Sequence, residues 1–241
     1  MGYAIRTENL IKRYKDKTAV DGLTLSVEEG ELIALLGVNG AGKTTTVKML
    51  TCLTKPSGGK AEIMGIDISA DPDGVKRLVG VSPQDTSVAE NLTVKENLEF
   101  MAGIYLPADR TEAVVSRAIE SFGLGEFSNK KAKLLSGGYK RKLSIAMAII
   151  GEPKVLFLDE PTLGLDVLAR RQLWREIEAL KKDMTIVLTT HYMEEAQALA
   201  DRIVIMNEGS VMAVGTLDEL ENMTGKKGLE DVFVSIAERM E

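Results

Sequence analysis

Four short apolar runs, each closed by a polar or reactive residue, constrain the fold of this chain more than any other feature. They are ELIALLG (31–37), LVGVSPQ (78–84), KVLFLDEP (154–161) and MTIVLTTH (184–191). Near-continuous Ile, Val and Leu in runs this short predict strands buried on both faces, the habit of parallel sheets. Amphipathic segments between them predict helices, so the class is α/β with a mostly parallel sheet. AIRTENLIKRY (4–14) and AVDGLTLSVEEG (19–30) alternate more strictly and predict an antiparallel part.

Strand patterning disappears between Thr93 and Ile150, which predicts an inserted helical subdomain over 93–150 between core segments 1–92 and 151–241. Thr93 with Glu96 forms a capping box ahead of a helix whose apolar side is Val94, Leu98, Met101, Ala102 and Tyr105. Asp109 with Glu112 repeats the device before Val115, Ala118, Ile119 and Phe122. No apolar run reaches the roughly 20 residues of a membrane span. With no basic-then-apolar start and a single cysteine, Cys52, the chain is expected inside the cell. Its net charge of −6 argues against a polyanionic partner. Most of that excess falls in residues 207–241, an acidic C-terminal segment expected to present a solvated helix face.

The first run leads into Gly37, Val38, Asn39, Gly40, Ala41, Gly42, Lys43, Thr44 and Thr45. Glycines at 37, 40 and 42 let the backbone curl so that its N–H groups point at an anion, and the helix beginning at Lys43 adds a favourable dipole. The stretch fits G-x-x-x-x-G-K-[ST], the cradle for a nucleoside triphosphate, with Lys43 on the β/γ-phosphates and Thr44 on Mg²⁺.

The third run ends in two neighbouring carboxylates. Successive strand side chains point opposite ways, so Asp159 is assigned to the metal and Glu160 to the attacking water as general base. Gln84 and His191, the only histidine, close the second and fourth runs. Ligands of open parallel sheets collect at the carboxyl ends of strands, where all four runs deliver polar groups. Farther along, Ser136, Gly137 and Gly138 open a helix whose first turn carries Lys140, Arg141 and Lys142. Cations there oppose the helix dipole unless an anion or acidic partner is near, which reads as a second anion-binding helix start.

Taken together these residues resemble the nucleotide-binding ATPase subunit of ABC transporters, in order and over essentially the whole chain. The resemblance implies a P-loop NTPase core with a parallel sheet, an antiparallel β subdomain and an inserted α-helical subdomain. It implies that Gly37–Thr44 is the Walker A loop, Gln84 the Q-loop and a contributor to the metal shell, Leu135–Tyr139 the signature loop, Val155–Glu160 the Walker B strand and His191 the switch histidine. Tyr14 matches the aromatic on which such proteins stack adenine, and PTLGLD, ending in Asp166, resembles the D-loop. ATP and Mg²⁺ are the implied cofactors. Two ATPase copies, identical or homologous, are implied to meet head to tail, each signature loop covering the other's ATP. A separate transmembrane permease is the implied partner, with the ATPase peripheral at the inner membrane face. HYMEEAQALADRIVIMNEG and LEDVF look most like the branch serving ABC-2-type exporters.

Two positions depart from the family pattern: Tyr139 stands where Gln is usual, and Val167 where Pro is frequent. A GTPase would share the phosphate loop, and DPDG (71–74) mimics one of its switches, but NKKA (129–132) fails the base-reading Asn-Lys-x-Asp at Ala132. An ABC-type ATPase acting on ribosomes or nucleic acid is the alternative from another class; one cassette, no sustained heptads and no aromatics interleaved with the basic residues speak against it.

Overall fold

The computed structural model describes residues 2–238. The chain opens with an antiparallel hairpin, β1 (Tyr3–Tyr14) and β2 (Lys17–Glu28), followed by β3 (Leu32–Leu36) and helix α1 (Lys43–Leu50). Strands β4 (Gly58–Ile63) and β5 (Ile66–Asp67) return to the hairpin and complete a four-stranded antiparallel sheet, β2-β1-β4-β5. Helix α2 (Pro72–Leu78) leads into β6 (Val79–Ser82). Three α-helices follow, α3 (Val94–Tyr105), α4 (Ala108–Ser121) and α5 (Gly137–Ile149), in a segment whose β structure is the isolated bridge between Thr93 and Lys131. The remainder is β7 (Val155–Asp159), α6 (Val167–Leu180), β8 (Thr185–Thr190), α7 (Met193–Leu199), β9 (Arg202–Asn207), β10 (Ser210–Gly215), α8 (Leu217–Thr224) and α9 (Leu229–Glu238).

The second sheet has the order β10-β9-β3-β8-β7-β6, parallel throughout except for the antiparallel edge pair β9–β10. Its strands β3, β7 and β8 are buried at every residue, which is why their sequences read as unbroken apolar runs. Alternate residues serve two cores. Ile33, Leu35, Val155, Phe157 and Val187 face α1 and the antiparallel sheet, packing with Leu10, Val20, Val47 and Ile63. Leu32, Ala34, Leu36, Leu156, Leu158, Ile186 and Leu188 face the helical layer, packing with Leu98, Leu143, Leu173 and Val232.

The capping box of Thr93 and Glu96 is present, and Val94, Leu98 and Ala102 are buried beneath it. Tyr105 departs from the expectation: it ends α3 and lies half exposed along a cleft between α3 and β6. The second expected box does not form. Pro107, with φ fixed near the helical value, is the residue before α4, so Asp109 falls inside the first turn and favours the helix dipole instead of capping. DPDG is no nucleotide switch either; Asp71 caps α2 by accepting from the Gly74 N–H at 2.8 Å. The acidic segment from 207 onward is folded through Glu238 as β10, α8 and α9. Leu220, Leu229, Val232 and Ile236 bury its inner side, while Asp218, Glu219, Glu230 and Asp231 point outward. Residues 239–241 lie outside the described residues. No helix among those described is long and apolar enough to cross a membrane.

Candidate nucleotide site

The carboxyl ends of β3, β7 and β8 and the segment after β6 converge on a cleft of about 630 Å³ lined by Tyr14, Asn39–Thr45, Gln84, Glu160 and His191. Close approach sets the loop's composition. At Gly37 a Cβ would stand 2.4 Å from the Met206 carbonyl oxygen. At Gly42, whose φ is +100°, it would meet the Ala19 carbonyl at 2.6 Å. Gly42 turns the chain into α1 with no side-chain cap, so the first-turn N–H groups of the helix face the cleft as an anion site.

Lys43 and Glu160 are both about 94% buried. The lysine folds back on its own loop, its Nζ donating to the Gly37 carbonyl at 2.7 Å and the Val38 carbonyl at 3.2 Å, and lies 3.6 Å from Glu160 Oε1. The other carboxylate oxygen, Oε2, is 2.8 Å from His191 Nδ1. Glu160 thus sits between a cation and an imidazole at the mouth of β7. Its own backbone is left-handed, with φ +49°, a conformation that costs a non-glycine residue about 1–3 kcal/mol and tends to persist at functional sites.

Asp159, the last residue of β7, takes different partners. Its Oδ1 accepts from the hydroxyls of Thr44, at 3.1 Å, and Thr189. No cluster of three His, Cys, Asp or Glu exists among the described residues, so a purely protein cage is absent there. Thr44, Asp159 and the Gln84 amide supply hard oxygens, and Mg²⁺ characteristically joins one or two such groups to substrate phosphates. The donor set fits that ion.

Ser136, Gly137 and Gly138 do not line the cleft. Ser136 caps α5, its Oγ accepting loosely from the Tyr139 N–H at 3.5 Å, and Ser136 and Gly137 are exposed. The cations behind them are committed to their own chain. Lys140 pairs with Glu90 at 2.7 Å, Lys142 with the half-buried Glu176, and Arg141 donates to the backbone carbonyls of Pro83, at 2.6 Å, and Gln84. Tyr139 turns inward onto Phe127, with ring centroids 4.2 Å apart and Lys142 over its face. Val167 begins α6, which Asp166 caps by accepting from the Leu168 and Ala169 N–H groups at 2.9 Å.

A model of the ABC transporter family matches residues 20–163. The chain belongs to the ABC transporter family. It is 44% identical over 229 residues to the daunorubicin/doxorubicin resistance ATP-binding protein DrrA of Streptomyces peucetius, covering 94% of this chain and 69% of that one. It is also 45% identical to a human phospholipid-transporting ATPase, over 84% of this chain but 12% of that protein. Among solved structures, an ABC-transporter ATP-binding subunit superposes with TM-score 0.88 at 31% identity, over 97% of this chain and 99% of that one. An ATP-binding cassette captured as a post-hydrolysis dimer with ADP and Pi matches with TM-score 0.80 at 26% identity, over 88% and 98%. The protein is therefore an ATP-binding, ATP-hydrolysing subunit of an ABC transporter; the ribosome or nucleic-acid alternative finds no support in these relatives.

The ABC ATPase cleft also contains residues that the sequence reading did not single out. Lys17 and Ala19 of β2 and Leu163 line it, and Thr189 lies just behind. Lys17 pairs with Tyr14 across the hairpin turn, and its place on the cleft wall is visible only once β1 and β2 are paired. Farther back, Glu195 of α7 is fully buried, accepting from Trp174 Nε1 at 3.0 Å, and burial pushes its carboxyl above the usual carboxylate range.

Proposed function

We propose that the chain hydrolyses ATP with Glu160 as general base and uses the energy to drive export through a separate ABC-2-type permease. The observation that carries the chemistry is the placement of Glu160 between Lys43 and His191 at the mouth of the phosphate loop. Lys43 and the loop N–H groups bind the β/γ-phosphates, Thr44, Asp159 and Gln84 would hold Mg²⁺, and Tyr14 stacks on the base. When bound, Mg²⁺ offsets phosphate charge and polarises the terminal phosphoryl group. Glu160 takes the proton of the attacking water. His191, held by Glu160 through Nδ1, stands beside the position of the terminal phosphate in the cleft.

The exposed Ser136 and Gly137, remote from their own chain's cleft, suit the second half of the reading: a copy of this chain, or a homologous subunit, closes head to tail over the nucleotide. Outward transport follows the drug-resistance relatives, since resistance driven by ATP is most simply met by removing the drug. The cleft beside α3, about 280 Å³ and edged by Leu53, Met101 and Tyr105, offers an apolar landing site for the permease, and Phe100 and Ile104 extend it along the same helix. Such exposed apolar clustering marks a protein interface. It adjoins the segment from Gln84 to Phe100, which links the terminal-phosphate sensor to the helical part. Through this contact the subunit sits at the inner face of the membrane.

Cysteines placed at Ala89 or Glu90, both exposed, are expected to cross-link to the membrane protein that co-purifies with the chain, whereas a cysteine at exposed Glu230 is not. The opposite pattern would remove this face as the docking site. The base-stacking assignment has a separate measure. Tyr14 is 46% exposed at the end of β1, beneath Lys12, and Tyr14→Ala is expected to weaken ATP binding by about 1–3 kcal/mol while Tyr14→Phe retains it. Unchanged affinity in the alanine variant leaves Tyr14 only its contact with Lys12.

A further inference from the structure

Thr189 is the penultimate residue of β8, two before His191, and is fully buried. In the parallel register of the sheet it lies beside Asp159. Its hydroxyl has one proton and two lone pairs, and the neighbours dictate their use. A carboxylate can only accept, so Thr189 Oγ1 donates to Asp159 Oδ1. An N–H can only donate, so the same oxygen accepts from the Glu160 backbone at 3.1 Å. The Thr189 carbonyl takes that N–H as well, also at 3.1 Å. One residue of β8 therefore holds both neighbouring carboxylate residues at the end of β7, by the side chain of the first and the backbone of the second.

Glu160 needs such a restraint. Its left-handed backbone turns the chain abruptly after β7, and that turn carries the carboxylate to Lys43 and His191. Asp159 needs one too, because its Oδ1 must stay aimed at Thr44 in the first turn of α1. We propose that Thr189 is a positioning residue for ATP hydrolysis, its hydroxyl fixing the orientation of Asp159 toward Thr44 and, together with its carbonyl, the backbone of Glu160. The inference rests on the roles given above to Asp159 and Glu160. A threonine that merely filled the sheet would contribute packing and β propensity, and its loss would lower stability while leaving turnover by the folded protein unchanged.

Thr189→Val replaces the hydroxyl with a methyl group at nearly constant shape, Thr189→Ala removes it without adding a methyl beside Asp159, and Thr189→Ser keeps it. The valine and alanine variants are expected to lose about ten- to hundredfold in kcat, the usual loss when a partner behind a catalytic ligand is removed, with KM for ATP within about threefold of wild type. Thr189→Ser is expected to restore turnover. His191 is the sole histidine, so its imidazole resonances report on Glu160 without assignment ambiguity. In the nucleotide-free protein they should move in Thr189→Val and return in Thr189→Ser. Wild-type kcat in either the valine or the alanine variant, a loss that serine does not restore, or unmoved His191 resonances would each overturn the proposal. Glu160→Gln measured alongside separates the layers: full hydrolysis by that variant removes the general-base reading. Loss of hydrolysis there with wild-type turnover in Thr189→Val removes only the role of Thr189.

Discussion

Glu160→Gln should abolish steady-state hydrolysis while leaving ATP binding intact, and should convert ATP from a fuel into a clamp. The amide preserves size and can still hydrogen-bond to His191, but it cannot accept a proton from water, a role worth about 10²–10⁴-fold in rate. ATP then persists in the cleft. If Ser136 and Gly138 of a second copy contact the terminal phosphate, each nucleotide joins two chains, and a symmetric dimer holds two. A ligand stabilises the state it binds better, by about 2.7 kcal/mol when present at 100 times its dissociation constant. Saturating ATP with Mg²⁺ should therefore shift the variant from monomer to dimer in light scattering, and ADP should not, because it lacks the bridging phosphate. A monomer in ATP would break the shared-site half of the reading. Continued hydrolysis would break the half that assigns the base.

Lys43→Ala should be the more damaging change to binding. In the structure Lys43 Nζ has only loop carbonyls and Glu160 as partners, at 2.7, 3.2 and 3.6 Å, and a triphosphate is a far stronger match for its charge. Losing a charge-assisted hydrogen bond costs about 1.5–3 kcal/mol, roughly a ten- to hundredfold weaker affinity for ATP. Turnover should fall further, by about 10²–10³-fold, because charge developing in the transition state loses a fixed donor. Calorimetric titration with ATP and a steady-state assay measure the two effects separately. Circular dichroism checks the fold, since the variant also leaves the buried Glu160 without its cation. Wild-type turnover in a folded Lys43→Ala protein would remove the phosphate-loop assignment.

Much of this site was legible because buried parallel strands advertise themselves. Leu32–Leu36, Val155–Asp159 and Thr185–Thr190 are covered on both faces, so they read as apolar or β-branched runs, and the candidate site residues lie where these runs emerge at the cleft. Thr189 escaped notice for the same reason. A threonine within a β-branched run reads as strand propensity, and only the pairing of β8 with β7 reveals that its hydroxyl lies beside Asp159. Lys17 was hidden by the hairpin register in a similar way. The helical errors were of another kind: Asp109 was read as a cap because its spacing to Glu112 is right, yet Pro107 starts the helix earlier. Tyr105 fits the apolar stripe of α3 but falls on its last residue, where no neighbour covers it fully. Lys140, Arg141 and Lys142 looked like a cluster awaiting an anion, and their acidic and carbonyl partners come from segments 34 to 58 residues away.

Among those partners, the two carbonyls held by Arg141 have a mechanical consequence. A guanidinium is planar, and two donors on one plane fix a direction as well as a separation, which a lysine gripping at a single point would not. The start of α5 and the backbone of Pro83–Gln84 are accordingly geared together: neither can swivel without carrying the other. Gln84 lines the cleft proposed to hold the nucleotide of its own chain, while Ser136, just over one turn of helix before Arg141, is exposed and is the part proposed to meet a neighbour. This guanidinium ties the two together, so a displacement of the Pro83–Gln84 backbone is expected to be carried into the start of α5.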